Sequence, residues 1–125
     1  MTLEEESLKL HKRLKGKIAI AGKAKIRNAK DLSLLYTPGV AEPSREIARN
    51  REAVYDLTNK WNNVAIITDG TRVLGLGDIG PEAALPVMEG KALIMKEFAN
   101  IDAFPICLKT KDADEIVKIV KALEP

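Results

Sequence analysis

Residues 68–98, TDGTRVLGLGDIGPEAALPVMEGKALIMKEF, decide the fold of this chain. From Pro81 onward the apolar residues recur at threes and fours. That spacing predicts one long helix over 81–99. With Lys91 at the centre of its apolar stripe, Ala84, Val87, Met88, Ile94, Met95 and Phe98 share the face, and Glu82, Glu89 and Lys96 lie opposite. A lysine so placed either snorkels, its stem covering apolar surface, or is buried and shifted towards the neutral amine. The expectation is the second, a mostly buried Lys91 of lowered pKa, which would suit it to act as a general base.

Outward from this helix the pattern is strand, helix, strand, helix. Val64–Ile67 is a short continuous apolar run, the mark of a buried strand. Thr68–Thr71 reads as a turn and 72–76 as a short extended piece. Residues 101–109, IDAFPICLK, read as a second buried strand, with Cys107 an inert core thiol. Asp112 is placed to cap a last helix over 113–123, with Ile116, Val117, Ile119, Val120 and Leu123 inward. This order predicts an α/β domain, three layers with a small, mainly parallel sheet flanked by helices.

Upstream, residues 3–15 read as a charged amphipathic helix with Leu3, Leu10 and Leu14 on one side, ended by Gly16. His11 within it has no second histidine or cysteine nearby and reads as a solvated side chain. Residues 17–30 allow a short strand or an extended connection. Asp31 would cap a helical turn to Leu35. Pro38-Gly39 forms a turn, the glycine accepting positive φ, and Pro43 opens a helix to Asn50. Tyr36 sits at the edge of that turn, and a second helix continues over 51–60.

The chain has 125 residues, 46% apolar and 30% charged, with a net charge of +2. These values predict one globular domain, residues 1–125. So small a net charge gives no argument for nucleic acid or a membrane surface. The single cysteine excludes an internal disulfide and fits a reducing compartment. The charged N-terminus does not resemble a signal peptide. Gly75, Gly77 and Gly80 satisfy G-x-G-x-x-G, but Asp78 and Glu82 would face the pyrophosphate of a dinucleotide there and repel it. The glycines read instead as a tight turn under a small ligand.

Three blocks, LLYTPGVAEPSREI, TDGTRVLGLGDIGPEAALPVMEGKALIMKEF and IDAFPICLKTKDADEIV, resemble the N-terminal domain of malic enzymes of the shorter, prokaryotic type. The resemblance runs from about Leu34 to the C-terminus. It implies oxidation of L-malate with NAD or NADP, then decarboxylation to pyruvate and CO₂ with Mg²⁺ or Mn²⁺. It implies Lys91 as general base, Tyr36 as general acid and Arg72 as the residue that holds a substrate carboxylate. It further implies a cytoplasmic homodimer or higher homo-oligomer, with cofactor and metal bound mainly by residues beyond Pro125. On this reading the chain is a piece carrying half an active site, folded but inactive alone, with Tyr36 and Lys91 converging on one cleft. A malolactic or oxaloacetate-decarboxylating relative, or a non-catalytic small-acid-binding module of the same fold, are the alternatives.

Overall fold

The computed structural model describes residues 1–125 as two compact units, one formed by residues 1–19 with 64–125 and the other by residues 20–63. In the first unit, helix α1 (Leu3–Leu14) begins at a capping box. Thr2 Oγ1 accepts from the Glu5 amide at 3.3 Å, and Glu5 Oε2 accepts from the Thr2 amide at 3.0 Å. Three glutamates in its first turn and Lys12 and Arg13 in its last complement the helix dipole. The helix ends one residue before the expected Gly16. Lys15 takes the left-handed conformation and donates to His11 O at 2.9 Å.

Strands β1 (Asn63–Thr68) and β2 (Asp102–Cys107) pair side by side, joined by the loop 69–80 and helix α5 (Pro81–Ala99). The Leu108 amide donates to Thr68 O at 2.8 Å, so both strands end at the same edge and the pair is parallel. The predicted α/β class holds, with a sheet of two strands only. Both are less buried than their apolar runs suggest. Val64 and Phe104 are exposed, and the rest of β2 is half-buried. A two-stranded parallel sheet can cover little, so α5 packing on β2 supplies most of this unit's interior.

Helix α5 has the predicted bounds. Gly80 stands at its N-cap with φ +85°, Pro81 opens it, and Asn100 closes it in the left-handed conformation. The Asn100 and Ile101 amides donate to Lys96 O and Met95 O, which satisfies the last carbonyls. The buried stripe, however, is Ala84–Met88–Ala92 rather than a stripe centred on Lys91. Val87, Ile94 and Phe98 are exposed, Phe98 by 86%. Two small alanines, either side of Met88 on this stripe, let the helix approach the narrow sheet closely, and Val87, Ile94 and Phe98 fall to the outer side. Glu89, expected on the polar face, is half-buried: its Oε2 accepts from the Lys17 amide at 2.9 Å and ties residues 16–17 to the helix.

Helix α6 (Ala113–Leu123) is capped by Asp112 as expected, Oδ1 accepting from the Glu115 amide at 2.7 Å. Of its five inward candidates only Ile116 and Ile119 are half-buried; Val117, Val120 and Leu123 are exposed.

In the second unit, residues 20–26 are exposed and form neither helix nor strand. Helix α2 (Ala29–Leu35) is capped by Asn28 rather than Asp31. Asn28 Oδ1 accepts from the Asp31 amide, and Asp31 reaches back to the Arg27 amide at 3.0 Å. Helix α3 (Ala41–Arg49) carries Pro43 in its first turn. The expected second helix breaks into a short α4 (Val54–Leu57) flanked by 3₁₀ turns at Arg51–Ala53 and Asn59–Asn62. Asn50 and Thr58 cap those turns through their side chains and interrupt the α-helix. Ala53 is the buried apolar residue of this unit. No helix in the chain is long and apolar enough to cross a membrane.

Candidate functional site

The loop 69–80 leaves the carboxyl end of β1, the edge at which α/β proteins place ligands. It is closed at several points. Asp69 Oδ1 accepts from both the amide and the hydroxyl of Thr71, at 3.0 and 2.6 Å. These two bonds hold the Asp69 carboxyl below its ordinary pKa, the hydroxyl bond contributing most. The amides of Ile79 and Gly80 both donate to Gly70 O. Gly70 has φ +72°, and a side chain there would run into the carbonyl of Gly80. Glycine is therefore required at 70 on two counts.

The expected extended piece at 72–76 shrinks to one antiparallel bridge between Val73 and Gly77. Val73 and Gly77 exchange both backbone hydrogen bonds at 2.8 Å, and Val73 is buried. Leu74 and Leu76 protrude from the tip, Leu74 wholly exposed. The loop amides that a phosphate would need are thus spent inside the loop: Leu76 and Gly77 on Val73 O, Ile79 and Gly80 on Gly70 O. The residues present do not fit a dinucleotide pyrophosphate.

Arg72 lies in this loop with its guanidinium exposed and makes no hydrogen bond or ion pair within the chain. Asp78 is instead paired with Lys111, Nζ to Oδ2 at 2.6 Å. The hydrogen bond to Asp78 raises the Lys111 pKa, with the charges of Asp78 and Asp69 adding to it. Lys111 follows β2 at the same sheet edge. Neither Lys111 nor Asp78 in this pairing was singled out from the sequence. The signal was there, since a parallel pair brings the segments after both strands together.

Lys91 is exposed, which corrects the expectation of burial. The apolar stripe beside it is real, but the packed line runs through Met88 and Ala92. Arg72 precedes α5 in the same unit; Tyr36 belongs to the other unit.

Tyr36 stands at the C-terminal cap of α2 with an exposed ring. Its amide donates to Leu32 O at 2.9 Å and its carbonyl accepts from Val40 at 2.7 Å. The peptide bond between Thr37 and Pro38 is cis. Gly39 serves this turn differently from the expected way. Its φ is not positive; instead its amide donates to Ser33 O, and a side chain would collide with the carbonyls of Ser33 and Leu34.

Burial pushes the half-buried Cys107 thiol up, with Glu82 adding to the effect. His11 Nδ1 lies 2.7 Å from Ser7 O in the same helix. No three His, Cys, Asp or Glu side chains gather in a way that could hold a metal ion, so the residues present do not fit a divalent site. A shallow depression lined by Leu108, Thr110, Glu115 and Ile119 contains none of Tyr36, Arg72 or Lys91.

Residues 15–119 match the family described as malic enzyme, N-terminal domain, and that span includes all three candidate side chains. The chain belongs to the malic enzyme family. It is 62% identical over its whole length to the bifunctional malic/malolactic enzyme of Bacillus subtilis, of which it covers 30%. It is 58% identical over 110 residues to the NAD-dependent malic enzyme of Geobacillus stearothermophilus, covering 88% of this chain and 23% of that protein. The malic enzyme of Pyrococcus horikoshii superposes on 99% of the chain with a TM-score of 0.96 at 49% identity, the chain covering 29% of it. The chain therefore spans less than a third of the length of each of these malic enzymes.

Proposed function

We propose that this chain is the N-terminal, substrate-side part of an enzyme that converts L-malate to pyruvate and CO₂ with NAD or NADP. The observation that carries the reading is the family match over 15–119, which takes in Tyr36, Arg72 and Lys91 together. Arg72 adds to it: an exposed, unpaired guanidinium at the carboxyl edge of a parallel sheet suits a carboxylate.

In the proposed reaction Arg72 grips one carboxylate of malate. The amine of Lys91 takes the proton of the C2 hydroxyl; a nicotinamide, held outside this chain, would supply the acceptor for the C2 hydrogen as hydride, so that C2 becomes a ketone. Loss of the C3-linked carboxylate as CO₂ then gives the enolate of pyruvate. The phenol of Tyr36 delivers a proton to C3 and is reprotonated afterwards. Lys91 acts as base only as the neutral amine, so in this scheme it is covered, and desolvated, by residues outside the chain. Nicotinamide and Mg²⁺ or Mn²⁺ are likewise assigned to residues outside it, and the assembly to a cytoplasmic homo-oligomer.

The test is turnover by a full-length protein carrying this sequence, with malate, Mn²⁺ and NAD⁺ or NADP⁺. Tyr36→Phe and Lys91→Met should each lower kcat by about 10²–10⁴-fold, the usual worth of general acid–base catalysis. Near-normal turnover of either variant removes that residue from the mechanism. The 125-residue chain alone should reduce no NAD(P)⁺. A second reading has one observation in its favour, the bifunctional name of the Bacillus subtilis relative. Lactate formed without net cofactor reduction would support it; pyruvate with stoichiometric reduction and no lactate would exclude it.

A further inference from the structure

The Val73–Gly77 bridge sets a register in which the next opposed positions are Arg72 and Asp78. Directly opposed residues of an antiparallel pair have side chains within easy reach, and an arginine facing an aspartate is an attractive pair. Asp78 is thus placed by the register opposite Arg72. It is nonetheless bonded to Lys111 Nζ, and Arg72 remains unpaired. Asp69, the other carboxylate of the loop, is occupied by the amide and hydroxyl of Thr71. Both carboxylates of the loop therefore already hold another donor, Asp78 through Oδ2 and Asp69 through Oδ1.

We propose that Lys111 is a positioning residue for substrate binding: by holding Asp78 it keeps the Arg72 guanidinium free for a carboxylate of the substrate. The proposal rests on the reading of Arg72 as the carboxylate-binding residue. Lys111 acts through Asp78 and touches no substrate itself. In its absence Asp78 turns to Arg72, and substrate must compete with an intramolecular anion fixed across the hairpin. Lys111 also offsets the repulsion that two loop carboxylates would exert on an incoming dicarboxylate.

The experiment uses the full-length protein for kinetics and the 125-residue chain for spectroscopy. Lys111→Met should raise the malate KM by about three- to fivefold, the scale that an exposed ion pair can carry, with kcat changed less. In the chain, the Arg72 Nε–H signal followed by ¹⁵N NMR should move and exchange more slowly with water as Asp78 captures it. Adding Asp78→Asn to Lys111→Met should bring KM back to within twofold of the parent and restore the Arg72 signal. That rescue separates the proposal from simple anchoring, because removing the second half of an anchor restores nothing. A KM and an Arg72 signal both unmoved by Lys111→Met overturn the proposal. So does a double variant as weak as Lys111→Met alone. If Arg72→Met leaves the malate KM unchanged, the carboxylate reading of Arg72 is what fails. The Arg72 signal of the chain still reports whether Lys111 keeps Asp78 away.

Discussion

Lys91 and Tyr36 stand on stretches built by different means. Lys91 rides on a 19-residue helix whose neighbouring stripe, Ala84, Met88 and Ala92, is packed, which opens on Pro81 and is capped at Asn100. Tyr36 stands at the end of a seven-residue helix with no buried residue, in a turn fixed by the close approach of Gly39 to two carbonyls. Apolar burial positions the first and backbone crowding the second. The difference decides which substitutions each side chain would feel.

The loop ahead of α5 combines both devices, and Gly70→Ala should cost most. A methyl there meets the Gly80 carbonyl in a left-handed backbone, which should destabilise residues 64–125 by about 3 kcal/mol or more. Gly39→Ala, without the φ penalty, should cost about 1–3 kcal/mol. Urea unfolding separates the two regions, because Trp61 fluorescence reports on residues 20–63 and far-UV dichroism on the whole chain. Gly39→Ala should shift the Trp61 midpoint more than the dichroism midpoint, and Gly70→Ala the reverse. Equal shifts of both probes by both variants would mean that the two regions unfold together, and the contrast would be lost.

Within α5 itself, Met88→Ala should cost about 2–3 kcal/mol, because its side chain is only 7% exposed. Phe98→Ala, three turns on and almost wholly exposed, should stay within about 0.5 kcal/mol. A large cost at Phe98 would show that the outer face of the helix is covered in solution.

The smallest effect concerns acid. The Asp69 carboxyl is held below its ordinary pKa by the two bonds from Thr71, so the folded chain binds that proton less readily than the unfolded one. Its contribution is therefore fully present above pH ~4, the ordinary carboxylate value, and is lost as pH falls through the lowered value. Asp69→Asn should accordingly destabilise the chain more at pH 7 than at pH 3. A gap of the same size at both would assign the loss to geometry rather than charge.

Much of the frame was legible because it follows period and punctuation. The bounds of α5 follow from Pro81 and its apolar spacing, and the start of α6 from Asp112. The orientation of α5 was not legible from the spacing of large apolar residues. The two alanines that line its packed stripe carry little hydrophobic weight, yet they set how near the helix can come to a narrow sheet. Ala84 and Met88 were on the expected face, but Ala92 was not counted, and Val87, Ile94 and Phe98 turned the stripe towards Lys91. At the candidate site, the family resemblance pointed to Arg72, Tyr36 and Lys91, and of these only Lys91 also stood out by its place on the helix stripe. The Asp78–Lys111 pair depends on which loops meet at one sheet edge, and that emerges only when the strands are known to be parallel. The cap at Asn28 was missed because Asp31, three residues on, has the same chemistry and completes the same cap.

Parallel pairing of β1 with β2 also fixes when this fold can close during synthesis. The whole of residues 69–101 is made between the two strands. Until Cys107 has been added, β1 has no neighbour and α5 no strand beneath it. At about 5–20 residues per second, translation from Thr68 to Cys107 takes roughly 2–8 seconds. Over that interval Met88 and the alanines beside it have no strand to pack against. The packed stripe beside Lys91 is therefore among the last parts of this unit to find its partner.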